Sequence, residues 1–125
     1  MKIQHILIVE DDVEQRDLYA LSARKIGGWS VDLATTGVEA LMLVEQRRPD
    51  VVVLDVNIPE MAGPEIYSKM RALPATQDVP IVFITAHCED PELAELKLLE
   101  PAGIIQKPIE LREFPTQLRR IVEAV

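Results

Sequence analysis

Residues 51–55 read Val51-Val52-Val53-Leu54-Asp55: four apolar residues, three of them β-branched, followed at once by a carboxylate. An uninterrupted apolar run is typical of a central strand in a parallel sheet, where helices cover both faces. Aspartate forms strands poorly, and the residues around Asp55 offer it no turn to cap. We therefore predict a chemical role for Asp55 at the end of a buried strand.

Three more apolar runs lead into residues that can do chemistry. The carboxyl ends of parallel strands lie at one edge of an open α/β sheet, so the groups that follow these runs should converge there. The runs and their following residues are 6–9 before Glu10-Asp11-Asp12, 81–84 before Thr85-Ala86, and Ile104-Ile105 before Lys107-Pro108.

Helix signals separate the strand candidates. Asp12 can cap a helix that ends near Ile26, before Gly27-Gly28, and Thr36 can cap a second helix. Gly63-Pro64 and Asp90-Pro91 indicate the starts of a third helix and of a fourth that runs to about Glu100. Residues 29–34 alternate in polarity as an edge strand does.

The last helix is predicted from an apolar stripe, although Pro115 conflicts with a start near Leu111. A proline that far into a helix predicts a distorted first turn or a later start. The stripe comprises Phe114, Leu118, Ile121, Val122 and Val125. Five βα units in alternation predict an α/β fold, a doubly wound, five-stranded parallel sheet with helices on both faces.

Length and composition bound the type of protein. The 125 residues fit a single domain, 1–125, and 48% of them are hydrophobic. A net charge of −8 argues against direct nucleic-acid binding through phosphates. No run is long enough to cross a membrane, and residues 1–5 do not form the long apolar stretch that is typical of a signal peptide. The single cysteine, Cys88, allows no internal disulfide, so we expect a cytoplasmic protein. His5, His87 and Cys88 form no metal-ligand spacing, and we expect solvated or partly buried positions for them.

The residues at the strand ends suit phosphoryl transfer to a carboxylate. Asp55 can act as a nucleophile toward phosphorus and form an acyl phosphate. Glu10, Asp11 and Asp55 offer the carboxylate oxygens that Mg²⁺ prefers. Lys107 can place an ammonium, and Thr85 a hydroxyl, against the phosphoryl oxygens.

These residues, in this order, resemble the receiver domain of two-component response regulators along essentially the whole chain. The motifs that carry the resemblance are Glu10-Asp11, Leu54-Asp55 with Pro59 and Gly63, Thr85-Ala86, and Lys107-Pro108. The resemblance implies a flavodoxin-like strand order 2-1-3-4-5, with Asp55 as the phosphorylation site. It implies metal binding by Glu10, Asp11 and Asp55 and by the main-chain carbonyl of Asn57.

The resemblance also implies roles and partners. Thr85 would be the switch hydroxyl and Lys107 the phosphate-sensing lysine. The phosphodonor would be a sensor histidine kinase or a histidine phosphotransfer protein, and a downstream protein would bind at about residues 90–122. The domain would be a signalling module that catalyses only its own phosphorylation and dephosphorylation.

One departure from the family and two alternatives stay open. Ile104 stands where receivers commonly carry Tyr or Phe, so the signal is expected to travel through the 85–90 loop and the fourth helix instead. This departure keeps open a scaffold that binds partners without phosphorylation. Glu10 with Asp55-Val56-Asn57 loosely matches a metal-dependent phosphoester hydrolase, the weaker alternative because no substrate-binding insertion exists.

Overall fold

The computed structural model describes residues 2–86 and 90–125, without the side chains of Asp90 and Pro91. The predictions for His87 and Cys88 fall outside these residues. Within them, strands and helices alternate along the chain. They are β1 His5–Val9, α1 Val13–Lys25, β2 Ser30–Ala34, α2 Gly37–Gln46, β3 Val51–Asp55, α3 Gly63–Ala72, β4 Ile81–Thr85, α4 Asp90–Leu98, β5 Gly103–Gln106 and α5 Phe114–Glu123.

The five strands form one parallel sheet in the order β2-β1-β3-β4-β5. This confirms the predicted doubly wound fold. The uniformly apolar runs of β1, β3 and β4 are buried along their whole length, whereas the edge strands β2 and β5 are partly exposed.

Helices cover both faces of the sheet and divide the core in two. On one face α1 and α5 contribute Tyr19, Ala23, Phe114 and Leu118 to one apolar cluster. On the other face α2, α3 and α4 contribute Ala40, Val44, Ile66, Met70 and Leu96 to a second cluster. Each large side chain buried in this way stabilises the fold by about 1.5–3 kcal/mol.

The predicted caps start two of the helices. The Asp12 carboxylate accepts a hydrogen bond from the Gln15 backbone N–H at 3.0 Å, and the Thr36 hydroxyl accepts one from Glu39 N–H at 3.1 Å. The Gln15 side chain accepts from Tyr19 instead of returning to the cap, so the capping box at α1 is half formed.

The last helices differ in detail from the prediction. α5 begins at Phe114, which confirms the later start that Pro115 predicted and places Pro115 in the first turn, where its missing N–H costs nothing. Val125 is 77% exposed and lies beyond the helix, so its place in the apolar stripe was wrong. α4 ends at Leu98, two residues before the predicted end. In the described part of the chain no helix is long and apolar enough to span a bilayer.

Candidate functional site

The carboxyl edge of the sheet brings together residues that lie up to 97 positions apart in the chain. Glu10 follows β1, and Asp55 is the last residue of β3, paired in register with Ile84 of β4. The Lys107 backbone N–H donates to the Thr85 carbonyl at 2.8 Å, which ties the segment after β5 to the end of β4.

Lys107 lies between the two buried carboxylates. Its Nζ donates to Asp55 Oδ2 at 2.6 Å and to Glu10 Oε1 at 3.1 Å. The side chains of Asp55 and Glu10 are 6% and 2% exposed, and that of Lys107 is 19% exposed. The predicted convergence of Glu10, Asp55 and Lys107 is therefore present, as one ammonium shared by two carboxylates.

Burial shifts the proton affinities of this cluster. Burial, together with a hydrogen bond and charge repulsion from Asp55, raises the pKa of Glu10 from 4.5 to about 7, although Lys107 opposes the shift. Burial lowers the pKa of Lys107, but its hydrogen bonds to Asp55 and Glu10 outweigh that effect and leave the pKa raised. Lys107 thus stays charged at neutral pH, while Glu10 titrates there.

The backbone after β3 holds the other oxygen of Asp55. Asn57 N–H donates to Asp55 Oδ1 at 2.8 Å, so both carboxylate oxygens have a donor. This contact is that of an Asx turn, so the expectation that Asp55 has no turn to cap was wrong. Gly63 N–H donates to the Val56 carbonyl at 2.8 Å and closes the loop. A Cβ at Gly63 would lie 2.8 Å from the Asp55 carbonyl oxygen and from Val56 Cα, so glycine is needed for α3 to begin so close to β3.

The remaining predicted residues lie around this cluster with different exposures. Thr85 is buried, at 2% exposure, at the end of β4, one residue beyond the pairing partner of Asp55. Asp11 and Asn57 are exposed. Asp12, which the sequence assigns to a capping role, is the N-cap of α1.

The donor set fits a divalent cation. Two buried carboxylates and the exposed Asp11 offer the oxygen ligands that Mg²⁺ takes. Burial, and after it the neighbouring Asp55, raises the pKa of Glu10, and a bound cation would favour the ionised carboxylate. In the arrangement seen, with Lys107 between Glu10 and Asp55, no three Asp, Glu, His or Cys side chains of residues 2–86 and 90–125 are grouped as metal ligands.

A cavity that the sequence did not predict lies beside the cluster of Glu10, Asp55 and Lys107. The cavity measures about 460 Å³, reaches Lys107, and has mainly apolar walls. Its signal in the sequence is Leu18, an apolar residue on the solvent side of α1 that is 46% exposed. Its other lining residues are Gln15, Tyr19, Ala86, Pro108, Ile109 and Leu111.

Comparison with known proteins identifies the family that the sequence motifs resemble. A family model described as the response regulator receiver domain matches residues 6–119. Protein Rrf1 of Nitratidesulfovibrio vulgaris is 36% identical over 84% of this chain and 72% of its own length. Response regulator MprA of Mycobacterium sp. is 35% identical over 94% of this chain, which spans 50% of MprA.

Solved structures agree on the fold. The chemotaxis response regulator CheY4 of Vibrio cholerae superposes with a TM-score of 0.88 at 27% identity, covering 95% of this chain and 98% of CheY4. The receiver domain of the sensor histidine kinase PA1611 from Pseudomonas aeruginosa, whose structure has a magnesium ion in its active-site cleft, gives 0.87 at 25% identity and covers 96% and 98% of the two chains.

Proposed function

The chain belongs to the response regulator receiver domain family and is a signalling module of two-component systems, and on that premise we propose that Asp55 is its phosphoacceptor. The observation that carries the proposal is the Asp55 carboxylate itself. It is buried at the carboxyl edge of the sheet, with one oxygen on the Lys107 ammonium and the other on the Asn57 N–H.

The proposed reaction transfers a phosphoryl group from a phosphohistidine of a sensor kinase or phosphotransfer protein. An Asp55 oxygen forms the new bond to phosphorus as the phosphorus–nitrogen bond of the donor breaks, and the imidazole leaves with the bonding electron pair. Lys107 is already within hydrogen-bonding distance of Asp55 and supplies positive charge to the phosphoryl oxygens. Thr85 supplies a hydroxyl from the neighbouring strand.

Magnesium is the cofactor we assign to this reaction. Glu10, Asp11 and Asp55 would hold the ion through carboxylate oxygens, with the main-chain carbonyl of Asn57 as a further ligand. When bound, the ion would neutralise charge on the carboxylate and the phosphoryl group, which otherwise repel each other.

The donor is expected to be a protein because an apolar surface adjoins the acceptor. The cavity beside Lys107 has mainly apolar walls, and Leu18 at its side is half exposed. A small phosphate donor such as acetyl phosphate has little apolar surface to bury there, whereas a helical protein surface has much more. Cationic side chains near the donor histidine would also be attracted by the net charge of −8.

Residues 90–122 are the proposed output surface. Among the α4 side chains that the structure describes, Leu96 is the one that is buried, and Leu98 is 82% exposed. An element held by so little apolar burial can shift at low cost, which a phosphorylation switch requires.

Intact-mass measurement with acetyl phosphate tests the acceptor. Wild type should gain one phosphoryl group, about 80 Da, in the presence of Mg²⁺, and hydroxylamine should remove it because it cleaves acyl phosphates. Asp55→Asn should gain nothing. Asp12→Asn is the matched control: it neutralises a carboxylate of the same edge, and asparagine caps helices as well as aspartate.

The outcomes separate the alternatives. Equal labelling of Asp55→Asn and wild type would refute the acceptor assignment. A folded wild type that gains no mass, even with a phosphorylated histidine kinase as donor, would instead favour a phosphorylation-independent scaffold.

A further inference from the structure

Tyr67 of α3 connects α3 to the end of α4 through a single hydroxyl. The ring is buried, and the hydroxyl donates to the Leu99 carbonyl at 2.8 Å. This carbonyl belongs to the turn that ends α4, in which Glu100 adopts a left-handed φ of 55°. Carbonyls at a helix end lack intrahelical partners, so Tyr67 supplies a donor that α4 cannot supply for itself.

Arg71 sets the direction of this hydrogen bond. Its Nε donates to the Tyr67 oxygen at 3.3 Å, and its guanidinium carbon lies 4.9 Å from the centroid of the Tyr67 ring. Its Nη1 donates to the Thr76 and Val79 carbonyls at 2.9 and 2.7 Å, which fixes the guanidinium to the loop before β4. Because the Tyr67 oxygen accepts from Arg71, its own proton is directed to α4.

The Tyr67 ring is also in contact with the strand that carries Thr85. Its centroid lies 5.5 Å from that of Phe83 on β4. Phe83 is two residues before Thr85, and side chains two apart point to the same face of a strand. A displacement at the end of β4 therefore reaches the Tyr67 ring through direct packing. Ile104, paired with Phe83 on β5, has no polar atom with which to bind α4.

α3 gives Tyr67 a second connection to the acceptor. The helix begins at Gly63, whose N–H donates to the Val56 carbonyl at 2.8 Å and where a Cβ would lie 2.8 Å from the Asp55 carbonyl oxygen. Tyr67 is four residues further, one turn along the same helix. A shift of the Asp55 backbone would move Tyr67 as part of this rigid element.

We propose that the Tyr67 hydroxyl is a latch that holds α4 in one of two arrangements, and that phosphoryl binding at Asp55 favours the other. The latch occurs together with the direct Lys107–Asp55 hydrogen bond, which a phosphoryl group on Asp55 would replace. The Tyr67–Leu99 hydrogen bond and the Lys107–Asp55 ion pair are thus both present in the unphosphorylated state described here. This inference rests on the proposed function and adds how the site is regulated.

Reciprocity makes the latch measurable at the acceptor. If phosphoryl binding works against the Tyr67–Leu99 hydrogen bond, then removing that bond must strengthen binding at Asp55 by the same factor. Tyr67→Phe keeps the ring against Phe83 and removes the hydroxyl alone. We expect beryllofluoride, a phosphoryl analogue, to bind the variant about two- to tenfold more tightly, the worth of one hydrogen bond.

The experiment is a calorimetric titration of the full chain with beryllofluoride in saturating Mg²⁺, together with urea unfolding of each variant. Ser22→Ala is the matched control. The buried Ser22 hydroxyl also donates to a distant backbone carbonyl, that of Leu111 at 2.5 Å, but it is not attached to α4. The control should lose stability without any gain in beryllofluoride affinity.

Each outcome bears on the latch. Tighter binding by Tyr67→Phe and not by Ser22→Ala supports it. Unchanged or weaker binding by Tyr67→Phe overturns it, and a merely structural hydrogen bond would give that result. If the folded wild type itself does not bind beryllofluoride, the proposed function fails and the latch fails with it.

Discussion

Glu10 makes the metal-free domain less stable as the pH rises through neutrality. Its pKa is about 7 in the folded protein against 4.5 for an ordinary glutamate, so the folded state binds the proton more tightly than the unfolded chain. The stability that this proton supplies is fully present below about pH 4.5 and is lost as the pH rises to about 7. A pKa difference of this size corresponds to about 3 kcal/mol.

The assay is urea unfolding in EDTA at about pH 5 and about pH 8, for wild type and Glu10→Gln. The buried Trp29, the single tryptophan of the chain, reports unfolding by fluorescence. Glutamine keeps the size of the side chain and cannot ionise. Other titrating groups are common to both proteins, so they largely cancel in the difference between wild type and variant.

From about pH 5 to about pH 8, the free energy of unfolding of wild type should fall by about 2–3 kcal/mol relative to Glu10→Gln. Lys107 does not contribute in this range because its raised pKa keeps it charged. A relative change below about 0.5 kcal/mol, or a relative gain for wild type, would refute the assignment of a high proton affinity to Glu10. Saturating Mg²⁺ should reduce the fall, since a cation favours the ionised carboxylates.

Three further variants test the site and the fold by urea unfolding. Lys107→Met should destabilise the protein by about 3–5 kcal/mol at neutral pH, because it leaves two buried carboxylates without their cation. Lys97→Met, at an exposed position of α4, should change little. Gly63→Ala should cost about 1–3 kcal/mol because its Cβ would lie 2.8 Å from main-chain atoms; a stable alanine variant would show that α3 can move away. Leu118→Ala, at a fully buried position, should lower the free energy of unfolding by about 2–5 kcal/mol. Leu98→Ala, at 82% exposure, should lower it by less than about 0.5 kcal/mol, and equal losses would contradict the packing of α5.

The sequence predicts the sheet and the meeting of its strand ends because both follow from local patterns. An apolar run that ends in a charged residue predicts both a buried strand and a functional side chain at its carboxyl end. Asp55 and Lys107, 52 residues apart, are therefore predicted to meet, and they lie 2.6 Å apart. Parallel topology carries this part of the prediction, since it places every carboxyl end at the same edge.

Contacts that depend on how one element packs against another were not predictable. Glu10 and Asp11 are adjacent carboxylates, and only the course of the chain after β1 makes Glu10 buried and Asp11 exposed. His5 was expected to be solvated or partly buried, yet it is 4% exposed. Its ring nitrogens lie 2.8 Å from Ser30 Oγ and 2.9 Å from Asp32 Oδ2 on the neighbouring strand. The strand register that sets these distances has no local signal.

The same burial that raises the pKa of Glu10 prepares the edge for a cation. In the metal-free protein at neutral pH, negative charge is held next to Asp55 with one ammonium between two carboxylates, and the fold loses stability for it. By linkage, a bound cation favours the ionised carboxylates and so restores stability that the fold loses when Glu10 ionises. A variant such as Glu10→Gln should therefore be more stable at high pH and bind Mg²⁺ more weakly. The stability of this edge and its affinity for the ion are opposed through one side chain, because both depend on the same uncompensated charge.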